Sequence, residues 1–336
     1  MDIDEKIKLI KRNLGEIVTE EELKKLLKEK KKPVIYWGTA VTGKPSLAYF
    51  FPLLKLNDFI KAGFHVKVLL ADLHGALDGT PWHILERRYD YYKEAITQIF
   101  KALGTDFKNI EFVKGSEFQL APEYSYDLLK MASMNSIHDC KKAAAEVVKL
   151  GDNPKLGGLI YPIMQALDEQ YLGVDAQFGG LDQRKIFMFA RENLPKIGYR
   201  RRIEVMNPII QGLVGKKMSS SDSKSKIDLT DEEKTIKEKV NSAYCVEGDS
   251  DNGIMEFLKY VIIILKEDKK EKFLIERPEK YGKNLTYSNY EEIEKAFIKK
   301  EIHPMDLKNA IAKEIISLLN KIDKKKLNKF AEEAYK

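Results

Sequence analysis

A buried strand and a glycine-containing turn are predicted by residues 34–45, which read Val34-Ile35-Tyr36-Trp37-Gly38-Thr39-Ala40-Val41-Thr42-Gly43-Lys44-Pro45. The short apolar, β-prone start is typical of a strand that is covered on both faces. The glycines that follow let a phosphate approach backbone amides at the positive end of the next helix. The turn is not a Walker loop, because Gly43-Lys44 is followed by Pro45 instead of Ser or Thr. By itself this turn is equally compatible with a structural loop.

Strands and helices alternate along the chain after this run. Helices are predicted from Ser46 to Ala62 and over 81–103. The further strand candidates are apolar runs at 66–71, 110–113, 174–178 and 203–206. Such alternation predicts an α/β fold with a doubly wound, parallel, Rossmann-like sheet. Two helices are predicted before the run, the second capped by Thr19 with Glu22 completing a capping box.

Two segments depart from the alternating pattern. Residues 126–149 contain no strand candidate and predict paired helices, which form part of a helical insertion at about 115–160. Beyond Asp231 the pattern is helical. We therefore expect an α/β domain over residues 1–235 and a smaller helical domain over 236–336.

Composition excludes several classes of protein. The 336 residues include two cysteines, too few for a disulfide framework or a four-thiolate metal site. The longest wholly apolar stretch, Tyr260 to Leu265, is far too short to cross a bilayer, and the acidic N-terminus is unlike a secretory signal. A cytoplasmic protein is expected. The net charge of +6 suits a nucleic-acid partner, but a lysine-rich composition alone would give the same balance.

A second polar loop, Gly215-Lys216-Lys217-Met218-Ser219-Ser220-Ser221, has the chemistry to bind polyphosphate. Lysines on a mobile loop neutralise a departing pyrophosphate, and the hydroxyls donate hydrogen bonds to it. In isolation it could equally be a solvated loop.

Taken together, the two loops resemble the two signature motifs of class I aminoacyl-tRNA synthetases. Lys217 to Ser221 matches the second motif, and Pro45-Ser46-Leu47-Ala48-Tyr49-Phe50 resembles a degenerate first motif. Four further runs resemble tyrosyl-tRNA synthetase of the archaeal and eukaryotic branch, over nearly the whole chain. These are Ile35-Tyr36-Trp37-Gly38-Thr39-Ala40, Ala71-Asp72-Leu73-His74, Gln177-Phe178-Gly179-Gly180-Leu181-Asp182-Gln183-Arg184-Lys185 and His303-Pro304-Met305-Asp306-Leu307-Lys308-Asn309.

The resemblance implies a site for L-tyrosine. It assigns the phenolic oxygen to Asp168 and Tyr36, the substrate ammonium to Tyr161 and Gln165, and the tyrosine backbone to Gln183. The spacings of four and three along 161–168 place the three helical residues on one face. Alone, Tyr161 would more often be a core aromatic residue and Asp168 a solvated acid.

The resemblance also implies ATP as a substrate, with Mg²⁺ on its phosphates. The tyrosine carboxylate would attack the α-phosphate, and Lys217, Lys44 and Ser46 are the catalytic candidates. Asp182 is the candidate for the ribose. The other ATP-binding candidates are Gly38, Pro45, Tyr49, Gly180, Met218, Ser219, Ser220 and Ser221. No dedicated carboxylate cage for a metal is evident in the sequence.

One position departs from the class pattern. Ser46 stands where the first motif usually has histidine, and Tyr49 stands at the second histidine position. We therefore expect Lys44, Lys217 or a backbone amide to stabilise the phosphates instead. His74 lies at the carboxyl end of the strand predicted at 66–71 and is equally compatible with a structural and a ligand-binding role.

For tRNA(Tyr), the resemblance implies anticodon contacts from Tyr281 and Asp306. Without it, Tyr281 would be a packing residue and Asp306 a helix cap. Lys141 and Lys142 could meet the acceptor end or form a solvated helix face. The family's helical insertion forms a homodimer interface, so a homodimer is expected.

Three alternatives remain open at this point. A tryptophan–tRNA ligase shares the fold, but it should not need Asp168 paired with Tyr36. A catalytically retired paralogue that binds RNA is favoured by Ser46 and disfavoured by the intact loop at 217–221. A general nucleotide-binding regulator would leave the anticodon-like segments unexplained.

Overall fold

The computed structural model describes residues 1–212 and 226–336, with the Tyr281 side chain left out. Its main sheet contains β1 (Glu16–Val18), β2 (Val34–Ala40), β3 (His65–Ala71), β4 (Ile110–Lys114), β5 (Ala176–Gly180) and β6 (Ile203–Asn207). The strand order is β1-β6-β5-β2-β3-β4. Strands β2 to β6 are parallel, and β1 pairs antiparallel with β6. The predicted doubly wound fold is confirmed. The edge strand β1 was not predicted, because three half-buried residues give no clear period.

The helices of the first half cover both faces of this sheet. They are α1 (Ile3–Lys11), α2 (Glu20–Glu29), α3 (Phe50–Lys61), α4 (Asp72–Leu77), α5 (Leu85–Leu103), α6 (Ser116–Gln119), α7 (Pro122–Met134), α8 (Ile137–Ala144), α9 (Leu156–Tyr171) and α10 (Arg184–Asn193). The capping box of Thr19 and Glu22 is present at the start of α2. The helices predicted within 126–149 are α7 and α8, and they separate β4 from α9.

Three predicted boundaries were wrong by two to four residues. The helix predicted from Ser46 starts as a 3₁₀ turn at Leu47–Tyr49 before α3, and the helix predicted from Pro81 starts as a 3₁₀ turn at Trp82–Ile84 before α5. The strand predicted at 174–178 lies at 176–180, so its two glycines belong to β5. Helix and strand ends are the features that local patterns determine least well.

The later part of the chain is mainly helical, as predicted, with one unpredicted hairpin. Its elements are α11 (Glu233–Ser242), α12 (Gly253–Phe257), α13 (Ile264–Lys269), β7 (Phe273–Ile275), β8 (Leu285–Tyr287), α14 (Tyr290–Ile298), α15 (Pro304–Leu319) and α16 (Lys324–Ala334). A π-helical segment, Leu258–Ile263, joins α12 to α13. Across the described ranges, every helix is too short or too polar to cross a bilayer.

A buried ion-pair network connects the beginning of the chain to this later part. Arg12, which follows α1, donates to Asp58 of α3 (Nε–Oδ2, 2.8 Å) and to Asp268 of α13 (Nη1–Oδ1, 2.7 Å). Lys55 donates to Asp58 as well (Nζ–Oδ2, 3.0 Å). Only 1% of Asp58 is exposed, and both of its oxygens have partners. The network therefore holds α3 and α13 together through fully paired charges.

Candidate active site

The strand order changes direction between β2 and β5, and a cavity of about 260 Å³ lies at the carboxyl ends of these two strands. Open α/β sheets bind ligands at this point. Most residues predicted to bind tyrosine or the nucleoside line this cavity: Tyr36, Gly38, Tyr161, Gln165, Asp168, Gly180, Asp182 and Gln183. The fold therefore brings together positions that are separated by up to 147 residues, from Tyr36 to Gln183.

Helix α9 presents one face to the cavity, as the spacing predicted. Tyr161, Gln165 and Asp168 all line it. The amide Nε2 of Gln165 donates to Oε1 of Gln183 at 3.1 Å, which ties α9 to the turn after β5. The Tyr36 hydroxyl lies 3.5 Å from the carbonyl oxygen of Gln165. These contacts fix the polar wall of the cavity.

Asp168 is a buried carboxylate of this wall with one oxygen unpaired. It is 1% exposed, and its Oδ1 accepts hydrogen bonds from Gln119 Nε2 (2.8 Å) and the Tyr124 hydroxyl (2.9 Å). Its Oδ2 has no partner. Burial raises the pKa of Asp168 to about 7, although both hydrogen bonds act to lower it. A buried polar atom without a partner is costly, so Oδ2 is suited to a ligand that donates a hydrogen bond.

His74 lines the same cavity beside Asp168. Its Nε2 lies 3.8 Å from Asp168 Oδ2, and its ring meets the Tyr161 ring edge-on with 4.5 Å between centroids. Burial lowers the pKa of His74 to about 4, so the ring is neutral near pH 7. The sequence singled out His74 without choosing its role, and it missed Gln119 and Tyr124. Neither of these two belongs to a motif, and only the packing of α6 and α7 against α9 brings them to Asp168.

The end of β5 requires its two glycines, Gly179 and Gly180. A Cβ atom at Gly180 would lie 2.4 Å from Oδ1 of Asp182, and one at Gly179 would lie 2.7 Å from Cζ of Phe187. Any other residue would therefore push these side chains apart. Burial raises the pKa of Asp182, which lines the cavity next to Gln183.

A second cavity of about 710 Å³ adjoins the first and shares Thr39, Ala40 and Tyr161 with it. The turn residues Thr42 and Gly43 line it. Tyr49 lines it as well, with its hydroxyl 3.0 Å from Thr39 Oγ1.

Three residues predicted to act near the phosphates do not line either cavity. Lys44 is exposed, with its Nζ 5.3 Å from the centroid of the Tyr335 ring. Pro45 and Ser46 are buried, and Ser46 forms an isolated bridge with Asp228. None of the three is among the described residues that line either cavity.

Several other predicted residues remain untested. Lys217, Met218, Ser219, Ser220 and Ser221 lie outside the described residues, as does the Tyr281 side chain. Lys141 and Lys142 are exposed on α8, and Lys142 lines a shallow groove that includes Arg184 and Lys185.

Asp306 lies in the first turn of α15, which His303 caps by accepting a hydrogen bond from the backbone N–H of Met305. Its Oδ2 is 3.6 Å from Nε of Arg277. Asp306 is therefore paired with a cation instead of capping the helix.

The inserted helices expose large apolar side chains. Leu120, Tyr126, Leu129 and Ile137 are each more than 60% exposed. Clustered exposed apolar residues mark contact surfaces in soluble proteins. Within residues 1–212 and 226–336 there is no group of three or more His, Cys, Asp or Glu side chains arranged to hold a metal ion.

Comparison with known proteins relates this geometry to a family. The model of the class I tRNA synthetases for tryptophan and tyrosine (W and Y) matches residues 28–320. A cytoplasmic tyrosine–tRNA ligase of Danio rerio is 47% identical over 339 residues, covering 99% of this chain and 63% of that protein. A probable cytoplasmic tyrosine–tRNA ligase of Encephalitozoon cuniculi is 46% identical, covering 96% of this chain and 95% of that protein. The chain thus spans less than two thirds of the length of the vertebrate relative.

A solved structure is similar to the chain over nearly its whole length. Tyrosyl-tRNA synthetase from Archaeoglobus fulgidus, crystallised with L-tyrosine, superposes with a TM-score of 0.89 at 39% identity. The match covers 97% of this chain and 99% of that one.

Proposed function

Because the chain belongs to the class I tRNA synthetases for tryptophan and tyrosine, and within them to the tyrosine–tRNA ligase family, we propose that it activates L-tyrosine with ATP and transfers it to tRNA(Tyr). The observation that carries the proposal is the buried Asp168, whose Oδ2 has no partner, at the polar wall of the β2–β5 cavity. An acceptor of this kind is complementary to a phenolic hydroxyl. Tryptophan offers no donor of the same geometry.

In this proposal the tyrosine ring enters between β2 and α9. Asp168 accepts the phenolic proton and Tyr36 contacts the same oxygen, while Tyr161 and Gln165 bind the ammonium. Gln183, held by Gln165, contacts the tyrosine backbone. Phenylalanine is rejected because it would leave Asp168 buried without a partner; tyrosyl-tRNA synthetase is itself the established example of such discrimination.

ATP occupies the neighbouring space in this scheme. Asp182 contacts the ribose, Gly38 and Gly180 let the nucleoside approach the backbone, and the second cavity beside Tyr49 takes the phosphates. The tyrosine carboxylate attacks the α-phosphorus and pyrophosphate leaves, so positioning and charge stabilisation suffice without a protein nucleophile.

Lys217 and the hydroxyls of Ser219, Ser220 and Ser221 are proposed to stabilise pyrophosphate, with Met218 in the same ATP-binding loop. Lys44, Pro45 and Ser46 line neither cavity, so the described structure gives them no direct place against the phosphates. Lys217 contributes chiefly in the transition state. Mg²⁺ is proposed to arrive with ATP and to neutralise phosphate charge, since oxygen ligands from phosphates suit this ion.

The remaining proposals concern partners. Tyr281 and Asp306 would contact the anticodon. On binding, Asp306 would give up its ion pair with Arg277. Lys141 and Lys142 would meet the acceptor end. The exposed apolar residues of the inserted helices support a homodimer, and the domains would divide near residue 235. The relatives' names support a cytoplasmic location.

Tyrosine-dependent ATP–pyrophosphate exchange tests the proposal. Exchange with tyrosine, and none with phenylalanine or tryptophan, is the expected result. Exchange with tryptophan would reassign the substrate to the sister enzyme. If folded protein gave no exchange with any amino acid, the catalytic proposal would fail and the retired paralogue would be favoured.

A further inference from the structure

Two side chains of the inserted helical region hold Asp168 in a defined state. We propose that Tyr124 and Gln119 are positioning residues for tyrosine selection, which occupy Oδ1 of Asp168 and leave Oδ2 as the acceptor for the substrate hydroxyl. The inference rests on the proposed function. It assigns a specificity role to α6 and α7, which were predicted only as parts of a structural insertion.

The Tyr124 hydroxyl has one proton and two acceptors at equal distance. Oδ1 of Asp168 and the carbonyl oxygen of Met164 each lie 2.9 Å away. A carboxylate is the stronger acceptor, so ionised Asp168 takes this proton. When Asp168 is neutral, the proton can return to Met164. Tyr124 is fully buried, and it therefore stabilises the charged form of Asp168 without competition from water.

Gln119 lies within hydrogen-bond distance of both Asp168 and His74 at this end of the cavity. Its Nε2 lies 2.8 Å from Asp168 Oδ1 and 3.4 Å from His74 Nδ1, so one amide supplies a donor to each. In the tautomer that accepts this bond at Nδ1, the neutral His74 ring carries its proton on Nε2. Gly115 makes room for this arrangement, since a Cβ atom there would lie 2.6 Å from Gln119 Oε1.

The result is an acceptor and a donor side by side, neither of which has a partner. Asp168 Oδ2 and His74 Nε2 are 3.8 Å apart, too far for a hydrogen bond to each other. A hydroxyl both donates and accepts, so a phenol satisfies the two atoms together. Phenylalanine would leave both unsatisfied.

Two carboxyls of this cluster, Asp168 and Glu169, have pKa values raised to near or above neutral pH, and of the two it is Asp168 that lines the cavity. Burial keeps the neighbouring tyrosines neutral by raising their pKa values, and His74, with a pKa of about 4, is neutral as well. Glu169, the next residue on α9, has its pKa raised to about 8 by burial. The titratable groups around Asp168 are Tyr36, His74, Tyr124, Tyr161 and Glu169.

The test compares Tyr124→Phe with Tyr171→Phe. The Tyr171 ring packs 4.8 Å from the Tyr124 ring, but its hydroxyl donates to Asp127, at 2.9 Å. Both variants remove one hydroxyl that donates to a carboxylate, a buried one at Tyr124 and a half-buried one at Tyr171, and only Tyr124→Phe removes it from Asp168. Tyrosine-dependent exchange is measured from roughly pH 5.5 to 8.5, a range that spans the Asp168 transition.

We expect Tyr124→Phe to raise KM for tyrosine roughly tenfold near pH 7 and to shift the acidic limb of kcat/KM upward by about one pH unit. The kcat value and the Tyr171→Phe profile should stay within about twofold of wild type, the scatter expected where no shared partner is lost. Gln119→Met should shift the limb in the same direction, and it serves as the second variant if Tyr124→Phe does not fold. Equal profiles for folded Tyr124→Phe and Tyr171→Phe would overturn the inference.

A second readout separates this inference from the proposed function. The Asp168 carboxyl is titrated by carbon-13 NMR, with Asp168→Asn to assign the signal. If the wild type titrates near pH 7 and Tyr124→Phe titrates higher, the positioning role holds even if exchange is absent. Unchanged titration in an enzyme that does activate tyrosine would overturn the positioning role alone.

Discussion

Asp58 and Asp168 are both 1% exposed, but the two aspartates are treated in opposite ways by their surroundings. Asp58 lies between Arg12 and Lys55, and both of its oxygens are paired with cations. Asp168 has two neutral donors on one oxygen and nothing on the other. The pairing of Asp58 connects structural elements, whereas the pairing of Asp168 leaves one oxygen available to accept a hydrogen bond from a ligand. Burial alone therefore does not identify a functional carboxylate; Asp168 is distinguished by an unpaired oxygen on a residue that lines the cavity.

Removing the charge of Asp58 should have the largest effect on stability. Asp58→Asn leaves the buried Lys55 without its counter-ion and leaves Arg12 paired with Asp268 alone, and breaking a buried pair costs about 3–5 kcal/mol. The free energy of unfolding, measured in urea, should fall by about this amount, whereas KM for tyrosine should not change. A loss below roughly 1 kcal/mol would show that the network behaves as a surface pair.

Asp168→Asn should separate activity from stability. Its amide oxygen can keep the bonds from Gln119 and Tyr124, but the carboxylate acceptor is lost, so kcat/KM for tyrosine should fall on the order of a hundredfold. The folded-state pKa of Asp168, about 7, is above its ordinary value, so its ionisation opposes folding as pH rises from about 4 to 7. The variant should consequently be at least as stable as wild type at pH 8. If Asp168→Asn were less stable than wild type but had normal exchange, Asp168 would be a structural residue, as Asp58 is.

Glu204 provides a case that could break the comparison. Glu169 and Glu204 are fully buried, and all four of their carboxyl oxygens lack partners, yet neither residue lines the cavity at β2 and β5. Burial and the neighbouring Glu169 raise the pKa of Glu204 well above its usual range. Folded protein therefore binds more protons than unfolded protein above about pH 4.5, and stability declines as pH rises.

Glu204→Gln should accordingly be more stable than wild type at pH 8 by about 1–2 kcal/mol, with little difference at pH 5. Urea unfolding at the two pH values measures this. KM for tyrosine should be unchanged. An altered KM would mean that Glu169 and Glu204 belong to the binding site. Carboxylates without partners would then indicate a ligand site even when they do not line the cavity.

The smallest effect is expected at Ser46. It is buried and bridged to Asp228, and it is not among the cavity residues, so Ser46→His should leave tyrosine-dependent exchange within roughly threefold. A gain of much more than tenfold would place this position against the phosphates. Thermal unfolding of the same variant checks that the added volume is tolerated.

The sequence carried enough information for the sheet and for α9 but not for the surroundings of Asp168. Short β-prone segments that alternate with helical ones indicate strands β2 to β6, and the spacing 161, 165, 168 determines a helical face, so both follow from local sequence patterns. Gln119 and Tyr124 reach Asp168 only through the packing of α6 and α7 on α9, and this packing is not visible as a pattern in the sequence. Edge strand β1 and hairpin β7–β8 were missed because three-residue strands are specified by their partners.

The pairing of Arg12 with Asp268 also has a consequence for how the chain acquires its structure. The two residues are 256 positions apart. At typical rates of protein synthesis, Arg12 leaves the ribosome about 10–50 s before its partner exists. During that interval α1 and the Arg12 side chain lack one of their native contacts, and closing so long a loop is slow compared with forming local helices. The ion-pair network of Arg12 is therefore completed only after the later helical region has been synthesised, whereas its bonds to Asp58 can form earlier.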